Sequence, residues 1–196
     1  MKKELVSELT RQELAAALFA FMRKKPLDKI SVKEVSESCG VPRSTFYYHF
    51  EDIYDLASWA LSHRLLECLG ESGDCFLWGD GVLTLFQRCK EHREVCRCAV
   101  DSIHVWQMAK SYCDRCMDGI MVGMRKLDGD RNTDPEFLRF LALFYGHAVL
   151  STLINWFRGD MKETPEAMAN AVDFIVKDGI VAALDRAQGK RGASPA

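Results

Sequence analysis

The stretch "SVKEVSESCGVPRSTFYYHF", residues Ser31 to Phe50, decides the fold. Ser31, followed three residues later by Glu34, forms the pattern of a capping box and predicts the start of a helix. Gly40 suits the left-handed residue that ends a helix, and Pro42 suits the first turn of the next one. Two short helices joined by a turn that contains glycine make a helix-turn-helix.

The second of these helices, from Arg43 to Phe50, has two chemically different sides. Phe46 and Phe50 are four residues apart, so they share a face that can pack against the preceding helix. The other positions are polar or aromatic, and none is acidic. An α-helix fits the DNA major groove, and an acid-free face does not repel phosphate. The residues that we expect to face DNA are Arg43, Ser44, Thr45, Tyr47, Tyr48 and His49.

Basic charge is concentrated near this stretch, although the whole chain is mildly acidic. The chain has 26 Lys and Arg against 28 Asp and Glu, a net charge of −2. Residues 20–50 carry six basic and three acidic side chains, so this segment has a net charge of +3 and the remainder −5. A local basic patch fits a polyanionic partner. It equally fits a solvated surface on a compact bundle whose tyrosines pack sideways.

Helical periodicity continues through nearly all of the chain, and alternating runs of β-branched residues are missing. Two long helices are predicted at 135–158 and 165–187, each beginning at a proline that follows an N-cap residue, Asp134 or Thr164. The predicted fold is therefore all-α. It comprises a three-helix helix-turn-helix DNA-binding domain (1–50), a joining helix (about 51–69), a larger helical domain (70–188) and a disordered tail (189–196).

The segment "KISVKEVSESCGVPRSTFYYHFEDIYDL", Lys29 to Leu56, resembles the DNA-binding domain of TetR-family transcriptional regulators. The later segment "YGHAVLSTLINWFRGDMKETPEAMANAVDFIVKDGI" resembles the ends of many family members more weakly. The resemblance implies a three-helix DNA-binding head on a larger helical body that binds a ligand and dimerises.

Carried over position by position, the resemblance implies phosphate contacts at Tyr47 and His49, and a phosphate-contacting hydroxyl at Ser31. It implies groove-facing positions at Arg43, Ser44, Thr45 and Tyr48. Two positions depart from the family's pattern, which usually has lysine where this chain has Ile53 and serine or threonine where it has Pro42. The first departure removes one phosphate anchor, and the second alters the capping of the recognition helix.

The last two long helices form the expected dimer element, since a helix-turn-helix protein usually reads a duplex as a two-fold dimer. The run "FLALFYGHAVLSTLINWF", residues 140–157, has eighteen residues without a formal charge, which reaches the length of a membrane span. Its polar members, among them His147 and Asn155, favour a helix covered by its own core and by a partner. We expect a homodimer in the cytoplasm and no membrane association.

Large, soft side chains between the head and the dimer helices favour an apolar pocket for a small-molecule effector. The same side chains also fill ordinary cores. The predicted pocket residues are Trp78, Phe86, His104, Trp106, Met108, Tyr112, Met117, Met121, Tyr145 and His147.

The cysteines offer a weaker alternative. Cys96 and Cys98 followed by Cys113 and Cys116 have a spacing that resembles a metal site. Zinc needs four groups converging tetrahedrally, and Cys96 and Cys98 point nearly apart on a helix. We therefore expect free thiols in a reducing compartment, and neither a metal nor another cofactor.

The sequence predicts a ligand-responsive, DNA-binding transcriptional regulator, most often a repressor in such a family, acting on a double-stranded operator. Three catalytic patterns are missing from the sequence: a glycine-rich phosphate loop, H-E-x-x-H and G-x-S-x-G. We therefore expect no enzymatic activity. Two alternatives remain: a helical protein–protein adaptor that has lost DNA binding, and a regulator that senses thiol state or metal through the cysteines.

Overall fold

The computed structural model describes residues 2–66 and 77–192, and within them every regular element is helical. Short 3₁₀ helices occur at Leu27–Lys29 and Gly129–Arg131. The α-helices are α1 (Lys2–Met22), α2 (Val32–Ser38), α3 (Arg43–His49), α4 (Ile53–Leu66), α5 (Gly79–Glu91), α6 (Arg93–Val100), α7 (Val105–Asp128), α8 (Pro135–Arg158) and α9 (Pro165–Gly192). The all-α prediction is confirmed.

The chain divides into two compact units that interleave in sequence. The first unit joins Met1–Arg64 with His92–Tyr112, and the second joins Leu65–Glu91 with Cys113–Ala196. This division differs from the single boundary expected at residue 70, because α6 and the first turns of α7 group with the N-terminal helices. The far end of the predicted joining helix, beyond residue 66, lies outside the described residues.

The core of the first unit is built around large apolar side chains without solvent exposure, including Leu14 and Leu18 of α1 and Phe46 of α3. Each comes from the apolar face of an amphipathic helix, so burying these faces together drives the helices to pack. Val95 of α6 and Met108 of α7 belong to the same buried cluster. The helix-turn-helix is therefore packed against later parts of the chain as well as against α1.

The predicted capping box at the start of α2 is present. The Glu34 amide donates to Ser31 Oγ over 3.3 Å, and the Ser31 amide donates to Glu34 Oε2 over 3.0 Å. Lys25 Nζ lies 2.6 Å from the other carboxylate oxygen of Glu34. The Lys25 ammonium and the two hydrogen bonds from Ser31 lower the pKa of Glu34 to about 2. The first turn of α2 is thus fixed by one fully ionised carboxylate.

The turn between α2 and α3 closes as a Schellman motif. Gly40 has φ +67°, its amide donates to Glu37 O over 3.2 Å, and the Val41 amide donates to Ser36 O over 3.0 Å. Pro42 occupies the N-cap position of α3 and supplies no side-chain hydrogen bond. The turn is consequently held by the backbone geometry at glycine, and α3 begins without a hydroxyl cap.

The second unit packs α5, α8 and α9 around aromatic side chains, with Phe86 and Trp156 in edge contact at 5.2 Å between ring centroids. Asp134 caps α8 by accepting from the Glu136 amide over 2.8 Å, and the Ala167 amide donates to Thr164 Oγ1 over 3.2 Å at the start of α9. Both predicted N-caps are confirmed.

The disordered tail was predicted to begin at residue 189, but the first four residues of that range are helical. Helix α9 continues through Gly189 to Gly192 because its backbone hydrogen bonding tolerates a helical glycine, which costs only about 1 kcal/mol relative to alanine. Residues 193–196 lie outside the described residues.

Helix α8 is long and apolar enough to cross a membrane, judged by length and composition alone. One face of it is buried in the second unit by residues such as Leu141, Val149 and Phe157. A core helix of a folded domain passes the same test, so α8 fits the expected helix between protein surfaces.

Gly40→Ala should destabilise the protein by about 1–2 kcal/mol, because a side chain in the left-handed region costs this much while no atom within 4 Å would clash. Gly40→Asn is the matched variant and should lose less, since asparagine tolerates this conformation. Urea denaturation followed by circular dichroism measures both. An alanine variant as stable as the parent protein would refute the role assigned to Gly40.

Candidate nucleic-acid interface

Helix α3 presents two opposite faces, as its sequence predicts. Phe46 is fully buried and Phe50 nearly so, with ring centroids 5.9 Å apart. On the other side Ser44 is exposed and Tyr48 is 74% exposed. Burial of the phenylalanines fixes the rotation of the helix about its axis. The polar face is therefore open to a ligand.

Arg43 stands at the first position of α3 with its side chain exposed. Among the described residues it has no ion-pair or hydrogen-bond partner. Because this guanidinium has no partner, no ion pair or hydrogen bond must be broken before it binds a ligand. Its forked geometry matches guanine O6 and N7 or a phosphate. Arg43 and the neighbouring Ser44 thus form the part of the candidate interface at the N-terminus of α3.

The other predicted DNA-facing residues of α3 differ in their exposure to solvent. Tyr47 is exposed, whereas Thr45 and His49 are half-buried. Burial, and after it the nearby Arg11 guanidinium, lowers the pKa of His49. Its Nδ1 atom has no solvent access and no hydrogen-bond partner. At neutral pH His49 is therefore an uncharged ring that offers a hydrogen bond rather than a positive charge.

The hydroxyl of Ser31 is committed within its own helix. Ser31 Oγ donates to Glu34 Oε2 over 2.8 Å and accepts from the Glu34 amide. A phosphate approaching this hydroxyl would meet the ionised carboxylate of Glu34. The structure accordingly gives Ser31 a capping role, which the capping-box pattern in the sequence had already indicated.

The start of α4 differs from what a phosphate anchor requires. Ile53, at the position where the family usually has lysine, is only 6% exposed and lies in the core of the first unit. Asp52 Oδ1 accepts from the Asp55 amide over 2.8 Å, and Asp55 Oδ2 accepts from the Glu51 amide over 3.1 Å. Carboxylates of the chain itself thus bind two backbone amides at this helix end, and their charge repels phosphate.

Two exposed cations were not assigned a role from the sequence. Lys24 and Lys29 lie in the connection between α1 and α2, and within the described part of the chain the side-chain ammonium group of neither has a charged or hydrogen-bonded partner. The neighbouring Lys25, by contrast, is held by Glu34. The net charge of residues 20–50 was the signal for these lysines, but a charge count does not say which cations are free.

The predicted pocket residues are divided between the two units. His104, Trp106, Met108 and Tyr112 belong to the first unit, and Trp78, Phe86, Met117, Met121, Tyr145 and His147 belong to the second. Trp106 and His147 are exposed to solvent, and His147 Nδ1 lies 2.8 Å from Leu143 O of its own helix. Phe86 and Met117 are buried in the interior of the second unit.

The four cysteines of the weak metal alternative are divided in the same way. Cys96 and Cys98 lie in the first unit, and Cys113 and Cys116 lie in the second. Over residues 2–66 and 77–192, no three His, Cys, Asp or Glu side chains are arranged to hold a metal ion. Burial raises the pKa of Cys98, and raises that of Cys113 to about 11. These thiols are protonated and poorly reactive at neutral pH.

Two segments of the chain match known families of transcriptional regulators. Residues 13–58 match the family described as "Bacterial regulatory proteins, tetR family". Residues 77–178 match a family described as "Transcriptional regulator C-terminal region". The first range runs from the second half of α1 to the first turns of α4 and includes the helix-turn-helix, and the second range covers α5 to α8 and the first half of α9.

A curated relative is the HTH-type dhaKLM operon transcriptional activator DhaS of Lactococcus lactis subsp. lactis (strain IL1403), which is 26% identical over 93 residues. That match covers 47% of this chain and 48% of DhaS, so the chain spans about half the length of the curated relative it matches.

Two solved structures share the fold. One is the fatty acid degradation regulator FadR from Bacillus halodurans, with a TM-score of 0.53 at 13% identity, covering 86% of this chain and 98% of FadR. The other is a tetR-family transcriptional regulator from Streptomyces coelicolor, with a TM-score of 0.52 at 21% identity, covering 93% of this chain and 86% of that protein. This chain belongs to the TetR family of bacterial regulatory proteins.

Proposed function

We propose that this regulator binds a double-stranded operator as a homodimer, with the exposed face of α3 in the major groove. The observation that carries the proposal is an acid-free face, opposite buried Phe46, that begins with the unpaired Arg43. In a two-fold dimer the two copies of α3 must lie about 34–36 Å apart to enter successive major grooves. The complex would form in the cytoplasm, where the DNA is.

The dimer partner is supported by an apolar surface on the last two helices. Phe137, Phe140 and Phe144 stack along α8 with centroid separations of 6.3 and 6.2 Å, and Phe140 and Phe144 are 58% and 60% exposed. On α9, Phe174 and Ile175 are exposed as well. Aromatic rings exposed in a row are unfavourable in water, and pairing with a second copy as a four-helix bundle would cover them.

A small apolar or aromatic effector would act through the second unit, where soft side chains such as Met117 and Met121 occur along α7. An effector controls the regulator only if it binds two conformations of the protein with different affinities. We propose that the regulator is a repressor and that effector binding releases it from the operator. Because DhaS is named an activator, recruitment of transcription at the operator is the second candidate. A reporter fused to the operator distinguishes the two by the sign of the change on deleting the regulator.

One observation favours the adaptor alternative. The acidic start of α4, with Ile53 buried, lacks a phosphate anchor that the family usually has. An adaptor would show no salt-dependent binding to the DNA upstream of its own gene, whereas a regulator that neutralises phosphates shows a steep salt slope.

Arg43→Ala should weaken operator binding about 10- to 100-fold, because a bidentate arginine contact to guanine discriminates by roughly 1–3 kcal/mol. Tyr47→Phe should weaken it less, through loss of one phosphate hydrogen bond. Arg158→Ala is the matched control, since Arg158 is exposed at the end of α8 in the other unit. Fluorescence anisotropy on the upstream DNA over several salt concentrations measures all three. Unchanged affinity for both α3 variants would favour the adaptor.

Phe140→Ser combined with Phe144→Ser should convert the dimer to a monomer, because two exposed rings are removed from the proposed interface. Trp106→Ser is the control, since Trp106 is comparably exposed but belongs to the first unit. Sedimentation velocity gives the mass, and circular dichroism verifies folding. A double variant that remains a dimer would exclude this surface as the contact between copies.

A further inference from the structure

A single carboxylate, that of Asp28, joins three separate parts of the first unit. Asp28 lies in the 3₁₀ helix between α1 and α2, three residues before Ser31. Its Oδ1 accepts from Ser102 Oγ over 2.6 Å, and its Oδ2 accepts from the Ile103 amide over 3.2 Å. The hydroxyl of Tyr54, from α4, donates to the same carboxylate.

The position of Asp28 relative to α7 makes these contacts strong. Ser102 and Ile103 lie three and two residues before Val105, the first residue of α7, so the carboxylate lies near the positive end of the helix macrodipole. Partial burial acts to raise the pKa of Asp28, but the hydrogen bonds from Ser102, Ile103 and Tyr54 outweigh it, and the net pKa is lowered. Hydrogen bonds to an ionised acceptor are roughly twice as strong as neutral ones.

Two further contacts tie the same connection to α6. Cys98 Sγ donates to Lys25 O over 3.6 Å, and Arg23 Nε lies 3.7 Å from Glu94 Oε2. Val95 of α6 is buried in the cluster that also contains Phe46. The connection that leads into α2 is thus attached to residues 94–103 along its whole length, and Asp28 is the attachment with the most hydrogen bonds.

We propose that Asp28 is a positioning residue for DNA recognition, which fixes α2 and α3 relative to the first turn of α7 and to α4. The proposal rests on the DNA-binding function proposed above. Asp28 itself touches no DNA. It acts because the orientation of the α1–α2 connection sets where α2 begins, and α3 follows α2 through the tight turn at Gly40.

Asp28→Asn should lower operator affinity about tenfold or more, because the amide replaces one of two acceptor oxygens with a donor and removes the charge. This sign is opposite to the direct electrostatic effect, since neutralising a carboxylate in the DNA-binding unit should by itself strengthen binding to phosphate. The slope of log affinity against log salt should stay that of the parent protein. Affinity that is unchanged or increased would overturn the proposal.

Asp101→Asn is the matched control. Asp101 lies next to Ser102 and loses the same charge, but its carboxylate is bonded to Arg97 of its own helix, over 3.0 Å. Operator affinity of this variant should be unchanged or slightly increased. A fall equal to that of Asp28→Asn would mean that charge in this loop, rather than the Asp28 contacts, is responsible, and would overturn the proposal.

Ser102→Ala separates positioning from loss of folding. In a double-mutant cycle measured in operator affinity, Asp28→Asn and Ser102→Ala should be strongly non-additive, because both remove the same contact. Ser102→Thr, which retains the hydroxyl, should restore affinity. All titrations are corrected for the folded fraction by circular dichroism. Additive effects, or a fall explained by the unfolded fraction alone, would overturn the proposal.

Hydrogen exchange without DNA tests the positioning role independently of the proposed function. In Asp28→Asn the amides of residues 23–36 and of Ile103 should exchange faster, while those of the second unit should be unchanged. Equal protection in variant and parent would overturn the inference even if the parent protein binds DNA. A parent protein without salt-dependent operator binding would overturn the proposed function and leave this exchange result to decide about Asp28.

Discussion

Burial of Phe46 is the constraint on which the rest of the DNA-binding unit depends. A short helix such as α3 has little stability of its own, so its tertiary packing determines both its existence and its rotation. With Phe46 fully enclosed and Phe50 beside it, the side chains of Ser44 and Tyr48 must point to solvent. The polar face is exposed because the apolar face of α3 must be buried in the core of the first unit.

The electrostatics of the unit are divided between its two ends. At the start of α3 the cation Arg43 is unpaired, and the exposed Lys24 and Lys29 are free in the α1–α2 connection. At the start of α4 the carboxylates of Glu51, Asp52 and Asp55 repel phosphate, and the buried Ile53 supplies no positive charge. In the proposed complex, the nucleic acid would lie on the side that α3 and the preceding connection form, and few positive charges would attract it.

Local features of the sequence predicted most of the helices, because capping residues, glycine and proline act over a few positions. Ser31, Asp134 and Thr164 start helices as expected, and the rotation of α3 followed from Phe46 and Phe50 alone. Contacts between distant residues left no local signal. The attachment of Asp28 to Ser102, seventy-four positions away, needed the fold. So did the division of the proposed pocket residues between two units, since spacing along a chain does not say which residues share a core.

The interleaved order of the two units has a consequence for how the protein is made. The core around Phe46 also contains Val95, Ala99 and Met108, which are synthesised only after the whole of residues 65–91. A nascent chain that has emerged from the ribosome as far as α4 therefore still exposes part of the apolar surface that these residues later cover. Chaperones and proteases would meet this surface during translation, so swapping the first sixty-four residues between relatives would transfer an unfinished core.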